Sequence, residues 1–93
     1  MILEIVTPEA TLYKGEVNSV SVPGLEGEFQ MLNNHAAIVS VLTKGNVKIT
    51  ADKLNIPENS TDKFQKINDK TAWIAIQSGT VEMNQNNVIV LAD

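Results

Sequence analysis

The chain has 93 residues, 43% of them hydrophobic, with seven lysines, eleven acidic residues, no arginine and a formal charge of −4. That length allows one small domain over residues 1–93 with a single core, and the acidic balance argues against nucleic acid as a partner, which calls for clustered Lys and Arg. The absence of cysteine removes disulfides, Cys-based zinc sites and thiol catalysis, and fits a reducing compartment.

In chain order, "MILEIVTPEA" has no basic leader before an apolar stretch, so it does not read as a signal peptide. No apolar run nears the roughly 18 residues of a membrane span. The dominant period is two, that of a strand. Val20 and Val22 alternate with Ser19 and Ser21; Val47, Ile49 and Ala51 alternate with Asn46, Lys48 and Thr50. Ile74 and Ile76 share one face, with Trp73 on the other, and "VIVL" (88–91) is a continuous apolar run suited to a strand buried on both faces. Lys14-Gly15, Pro23-Gly24, Lys44-Gly45, Ser78-Gly79 and "NQNN" (84–87) read as turns. Short strands at this spacing predict an all-β sandwich or barrel. Residues 52–70 crowd charges of both signs around Pro57, Asn59 and Ser60 and read as an extended surface excursion; Phe64 and Ile67 fit either a helical turn or the inner face of a brief strand.

Chemistry concentrates in "VPGLEGEFQMLNNHAAIV" (22–39), which holds Glu26, Glu28 and the single histidine, His35. Two glutamates two residues apart share a face of an extended segment and suit an acid/base couple. Beside Gly24 and Gly27 they fit equally as solvated turn residues, which is the simpler reading. His35 with either glutamate falls short of a closed zinc site, because no second histidine exists. No serine stands in a nucleophile-elbow pattern. Carboxylates in "PGLEGE" oppose a phosphate cradle. His35 after two asparagines can also simply close a turn and hydrogen-bond local backbone. The residues point to a binding or structural module with no cofactor and no metal.

The ordered stretch "VNSVSVPGLEGEFQMLNNHAAIVSVLTKGNVKI" resembles the N-terminal domain of the epsilon subunit of F-type ATP synthases, the delta subunit in mitochondria. Gly27-Glu28 matches the family's G-E pair and His35-Ala36 its H-A pair, and Lys44-Gly45 leads into the next strand as in the family. "LEIVTPEATLYKGEV" resembles the family opening, and "WIAIQSGTVEMNQNNVIVLAD" its aromatic strand, S-G-G turn and terminal strand. Departures are Gln30 for a glycine, Asn33 and Asn34 for a proline-containing pair, Ala37 for proline, and Thr80 for the second glycine of S-G-G. The 52–70 stretch is about a dozen residues longer than the family hairpin.

The resemblance implies a flattened β-sandwich of about ten short, mostly antiparallel strands. It implies a non-catalytic central-stalk (rotor) subunit that fixes the gamma subunit to the c-ring and so couples ion translocation to ATP synthesis or hydrolysis. Catalytic-head subunits are further partners. The expected location is the cytoplasmic face of the plasma membrane, peripheral and without direct insertion. Glu26, Glu28, Met31 and His35 are the expected c-ring docking residues. The family's C-terminal helical hairpin is not expected in this sequence. The reading from a different class is a freestanding β-sandwich adaptor or ligand-binding module; a small enzyme using Glu26, Glu28 and His35 is a third.

Overall fold

The computed structural model describes residues 1–93. Ten strands follow in order: β1 (Ile2–Val6), β2 (Thr11–Glu16), β3 (Ser19–Gly24), β4 (Gly27–Leu32), β5 (Ile38–Leu42), β6 (Gly45–Thr50), β7 (Phe64–Asn68), β8 (Thr71–Ile76), β9 (Gly79–Asn84) and β10 (Asn87–Ala92). A short 3-10 helix, Glu58–Lys63, precedes β7. Hydrogen bonding runs β2-β1-β10-β9-β5-β3-β6-β8-β7, with β4 added to β3. The only link between β5 and β3 is the Gly24–Leu42 pair. The sheet therefore curls there into two five-stranded layers, β2-β1-β10-β9-β5 and β4-β3-β6-β8-β7. Every pairing is antiparallel except β1 with β10. The expected all-β sandwich is what forms.

Alternation builds the core. Leu3 and Ile5, Val20 and Val22, Val47 and Ile49, Ile74 and Ile76, Val81 and Met83, and Val88 and Val90 all face inward as part of one buried cluster. Each such side chain contributes on the order of 1.5–3 kcal/mol through burial. Within the core-forming face alternation breaks in β2. The β1–β2 register shifts between Ile5 and Val6, so Leu12 is an extra residue in β2 and both it and Tyr13 are buried.

Two of the five expected turns differ from the sequence expectation. Lys14-Gly15 lies inside β2, opposite Glu4 and Leu3. A Cβ at Gly15 would meet the Tyr13 ring at 3.6 Å, an ordinary van der Waals contact, so neither a turn nor a close approach calls for glycine there. Pro23-Gly24 closes β3, and the chain reverses one step later, at Leu25-Glu26. The turns at Lys44, Ser78 and Gln85-Asn86 form as expected. The "VIVL" strand is buried on one face only: Ile89 is half-buried and Leu91 is 49% exposed.

The 52–70 stretch is more organised than an extended excursion. Leu54, Ile56 and Phe64 pack against the core. Ser60 is fully buried and its hydroxyl donates to the Leu12 carbonyl at 2.7 Å. The stretch thus closes the open side between β2 and β7, the outer strands of the two layers. Phe64 opens β7 and lies 6.1 Å from the Tyr13 ring, whereas Ile67, beside a register shift, is 44% exposed.

Candidate docking site

The β3–β4 hairpin carries the glutamates. Gly27, at φ +119, takes a conformation that a side chain would oppose, which lets Leu25 and Glu26 form the tip. Leu25 is 71% exposed, an apolar side chain held out on a rigid hairpin. Around this end lie the β1–β2, β5–β6 and β8–β9 turns and Asp93.

Glu28 stands two residues into the sandwich on the outer face of β4. Its Oε1 lies 3.0 Å from Lys48 Nζ. Lys48 in turn lies 4.4 Å from the centroid of the Trp73 ring, its cross-strand partner. The same outer face carries Gln30, Ser21, Asn46 and Thr50, with Leu32 at the far end of β4.

Met31 does not belong to this surface. It is fully buried, paired with inward-facing Val20. Glu28 and Met31 are an odd number of residues apart, and in a strand that puts them on opposite faces. Leu32 points outward instead and is 54% exposed.

Nor does His35 join the glutamates. β4 runs from Gly27 to Leu32, about 17 Å of extended chain, so Glu26 and His35 sit at opposite ends of the sandwich. The two cannot share a metal ion or a substrate atom. The His35 backbone N–H closes a turn onto the Leu32 carbonyl at 3.1 Å. Its Nδ1–H donates to the Ala36 carbonyl at 2.7 Å. The local backbone reading of this histidine is the one the geometry supports.

The two asparagines before it have specific work. Asn34 adopts φ 64, a left-handed turn conformation that asparagine tolerates. Its N–H donates to Asn86 Oδ1 at 2.9 Å. Asn33 Oδ1 accepts from the Met1 amino group at 2.7 Å. Two polar tethers therefore hold this loop where the resemblance led to an expectation of proline.

A second surface was hidden from sequence reasoning. On the outer face of β1-β10-β9-β5, cross-strand register lines up Val6, Leu91, Thr80 and Val41 in one row. The next row holds Glu4, Ile89, Glu82 and Val39. Val39 is 75% exposed, Val41 53% and Leu91 49%. These apolar side chains flank Thr80 and Glu82 of β9, and several exposed apolar groups gathered on one outer face mark an interaction face. The detectable signal was that "IVSVL" and "VIVL" place valines and leucines at both parities.

Comparison with known proteins agrees with this geometry. The fold and surfaces define a β-sandwich whose exposed features are an apolar sheet face and a hairpin tip. Residues 1–58 match the family model described as "ATP synthase, Delta/Epsilon chain, beta-sandwich domain". The ATP synthase epsilon chain of Chlorobaculum tepidum is 36% identical over 91 residues, covering 98% of this chain and 86% of that protein. The ATP synthase epsilon chain of Wolinella succinogenes is 37% identical over 91 residues, covering 98% of this chain and 58% of that one. This chain belongs to the delta/epsilon β-sandwich family of ATP synthase. It spans little more than half the length of the Wolinella protein and of a 39%-identical relative from Campylobacter jejuni, of which it covers 57%. Among solved structures, a chain of the Euglena gracilis mitochondrial ATP synthase (OSCP/F1/c-ring, rotational state 1) superposes with a TM-score of 0.76 at 20% identity, covering 99% of this chain and 49% of that one. A chain of the Tetrahymena thermophila central stalk/c-ring structure gives 0.67 at 13% identity, covering 98% and 61%. At those identities the likeness is one of fold.

Proposed function

We propose that this chain serves as a non-catalytic rotor element of an F-type ATP synthase, fixing a gamma-type stalk subunit to the membrane c-ring. The observation that carries the proposal is the outer face on which Val39, Val41 and Leu91 are exposed, beside half-buried Val6 and Ile89. Gamma takes this face. The hairpin end, Leu25 with Glu26 and Glu28, rests on the polar loops of the c-ring. Leu25 supplies apolar contact and the carboxylates accept hydrogen bonds that fix orientation. A partner met end-on at that tip reaches Glu26 but not His35, which serves its own loop. A close-packed sandwich is stiff enough to pass torque between the two contacts. In this role the chain is peripheral and belongs to a membrane-associated complex on the cytoplasmic face of the plasma membrane, with catalytic-head subunits as further partners.

Purified chain is mixed with purified gamma subunit and, separately, with detergent-solubilised c-ring carrying gamma. Co-elution in fixed ratio is expected, with Val41→Asp weakening gamma binding by at least about tenfold, as for a central apolar contact. Failure to bind purified gamma at micromolar concentration sinks the rotor reading and leaves the adaptor reading in front.

A further inference from the structure

Lys48 sits between two groups far apart in sequence. Its Nζ is 3.0 Å from Glu28 Oε1 and 4.4 Å from the Trp73 ring centroid. Trp73 is its direct cross-strand neighbour on β8. Glu28 is two strands away on β4, so the ion pair crosses over β3 beside Ser21, which faces Lys48 on one side and Gln30 on the other. Ser21 points outward yet is only 9% exposed, as expected under such a bridge. The Glu28 carboxylate has no other ion-pair or hydrogen-bond partner in the chain. Its direction is therefore set by Lys48, and Lys48 is held in place by the face of the indole.

We propose that Lys48 is the positioning residue of the docking end: braced on Trp73, it aims the Glu28 carboxylate and presents it to the c-ring as half of an ion pair. What Glu28 meets rests on the docking reading above; the brace itself does not. One carboxylate oxygen is engaged by the ammonium, and the remaining lone pairs stay open to a donor. The side chains are 33% and 50% exposed, so a partner reaches both. A paired carboxylate suits a partner that offers neutral N–H or O–H donors, because no net charge has to be matched. Association through such a pair depends weakly on salt, whereas a bare carboxylate draws cations and is screened.

The test has two arms on the full chain. In the first, proton NMR reads the Lys48 ε-methylene, which the Trp73 ring current shifts to high field. Glu28→Gln is expected to remove about half or more of that shift, since the ammonium loses one of its two anchors; an unchanged shift shows that Glu28 and Lys48 are not coupled and overturns the proposal. In the second, binding to solubilised c-ring carrying gamma is measured at low and high salt. Lys48→Met is expected to weaken binding about tenfold and steepen its salt dependence, Lys48→Arg to restore it, and the double variant with Glu28→Gln to bind no worse than Glu28→Gln alone. Additive losses, or full binding by Lys48→Met when Glu28→Gln binds weakly, overturn the positioning role. If Glu28→Gln itself binds normally, the docking reading is what fails, and the NMR arm still decides the brace.

Discussion

Tyr13 is the chain's single tyrosine, fully buried with a hydroxyl that has no hydrogen-bond partner. Burial raises its pKa above the ordinary 10.0; the nearby Asn55 backbone lowers it only in part, outside hydrogen-bonding geometry. Below about pH 10 folded and unfolded chains both keep the proton, and the residue adds no pH dependence. Above that the unfolded chain ionises first, so the folded state binds more protons and stability falls as pH rises. We expect the urea midpoint to drop above about pH 10, tyrosinate absorbance to appear only with unfolding, and Tyr13→Phe to flatten the drop. Met31 and Glu28 make the opposite pair. Met31→Ala should cost about 2–5 kcal/mol in urea unfolding, while Glu28→Gln, losing a half-exposed ion pair, should cost no more than about 1 kcal/mol. Equal losses would contradict the assignment of Met31 to the core and Glu28 to the surface.

At the scale of elements, the β9–β10 hairpin turns through Gln85 at φ 50 and Asn86 at φ 63. Two left-handed residues are what a tight hairpin of this twist needs, and asparagine or glycine meets that need better than glutamine. Gln85→Asn should therefore stabilise the chain by about 0.5–1 kcal/mol. Asn86→Gly, in contrast, removes the acceptor of the Asn34 N–H, and faster hydrogen exchange at Asn34 is the expected sign. The 3-10 segment is tied in a similar way by one side chain. Ser60→Ala leaves the Leu12 carbonyl without that donor and should cost about 1–2 kcal/mol, read as a lower thermal midpoint. From sequence, 52–63 looked like solvated surface because its charges outnumber its apolar residues. Its packing depends on Leu54 and Ile56, which with Phe64 at the start of β7 meet a core that both layers build.

Across the whole molecule the two outer faces differ in kind. One layer turns Glu28, Gln30, Lys48 and Trp73 outward; the other turns Val39, Val41 and Leu91. Val39→Lys removes no core packing, so its stability should stay within about 0.5 kcal/mol of wild type. Gamma binding should fall nonetheless. A variant that unfolds instead would mean that Val39 supports the sandwich. The charge of −4 helps keep a chain with such an outer face from associating non-specifically.

Much of this was open to reading along the chain. Alternation named the inward residues of β3, β6 and β8, because a side chain's face in a strand follows from its parity alone. Glycine and asparagine marked three of the five turns, since local backbone preference is a property of the residue. The order of the family's motifs carried the fold, because spacing along the chain records which strands pair. Gly15 misled because a glycine inside a strand looks, in sequence, like one that makes a turn. Whether Glu26 and His35 belong together was decided only by tertiary structure: β4 is extended, and extension turns nine residues of proximity into opposite ends of the molecule. The same holds for the apolar outer face, which joins residues 6, 39, 41, 89 and 91 through cross-strand register, and for Lys48, whose two partners are brought to it by the pairing of four strands.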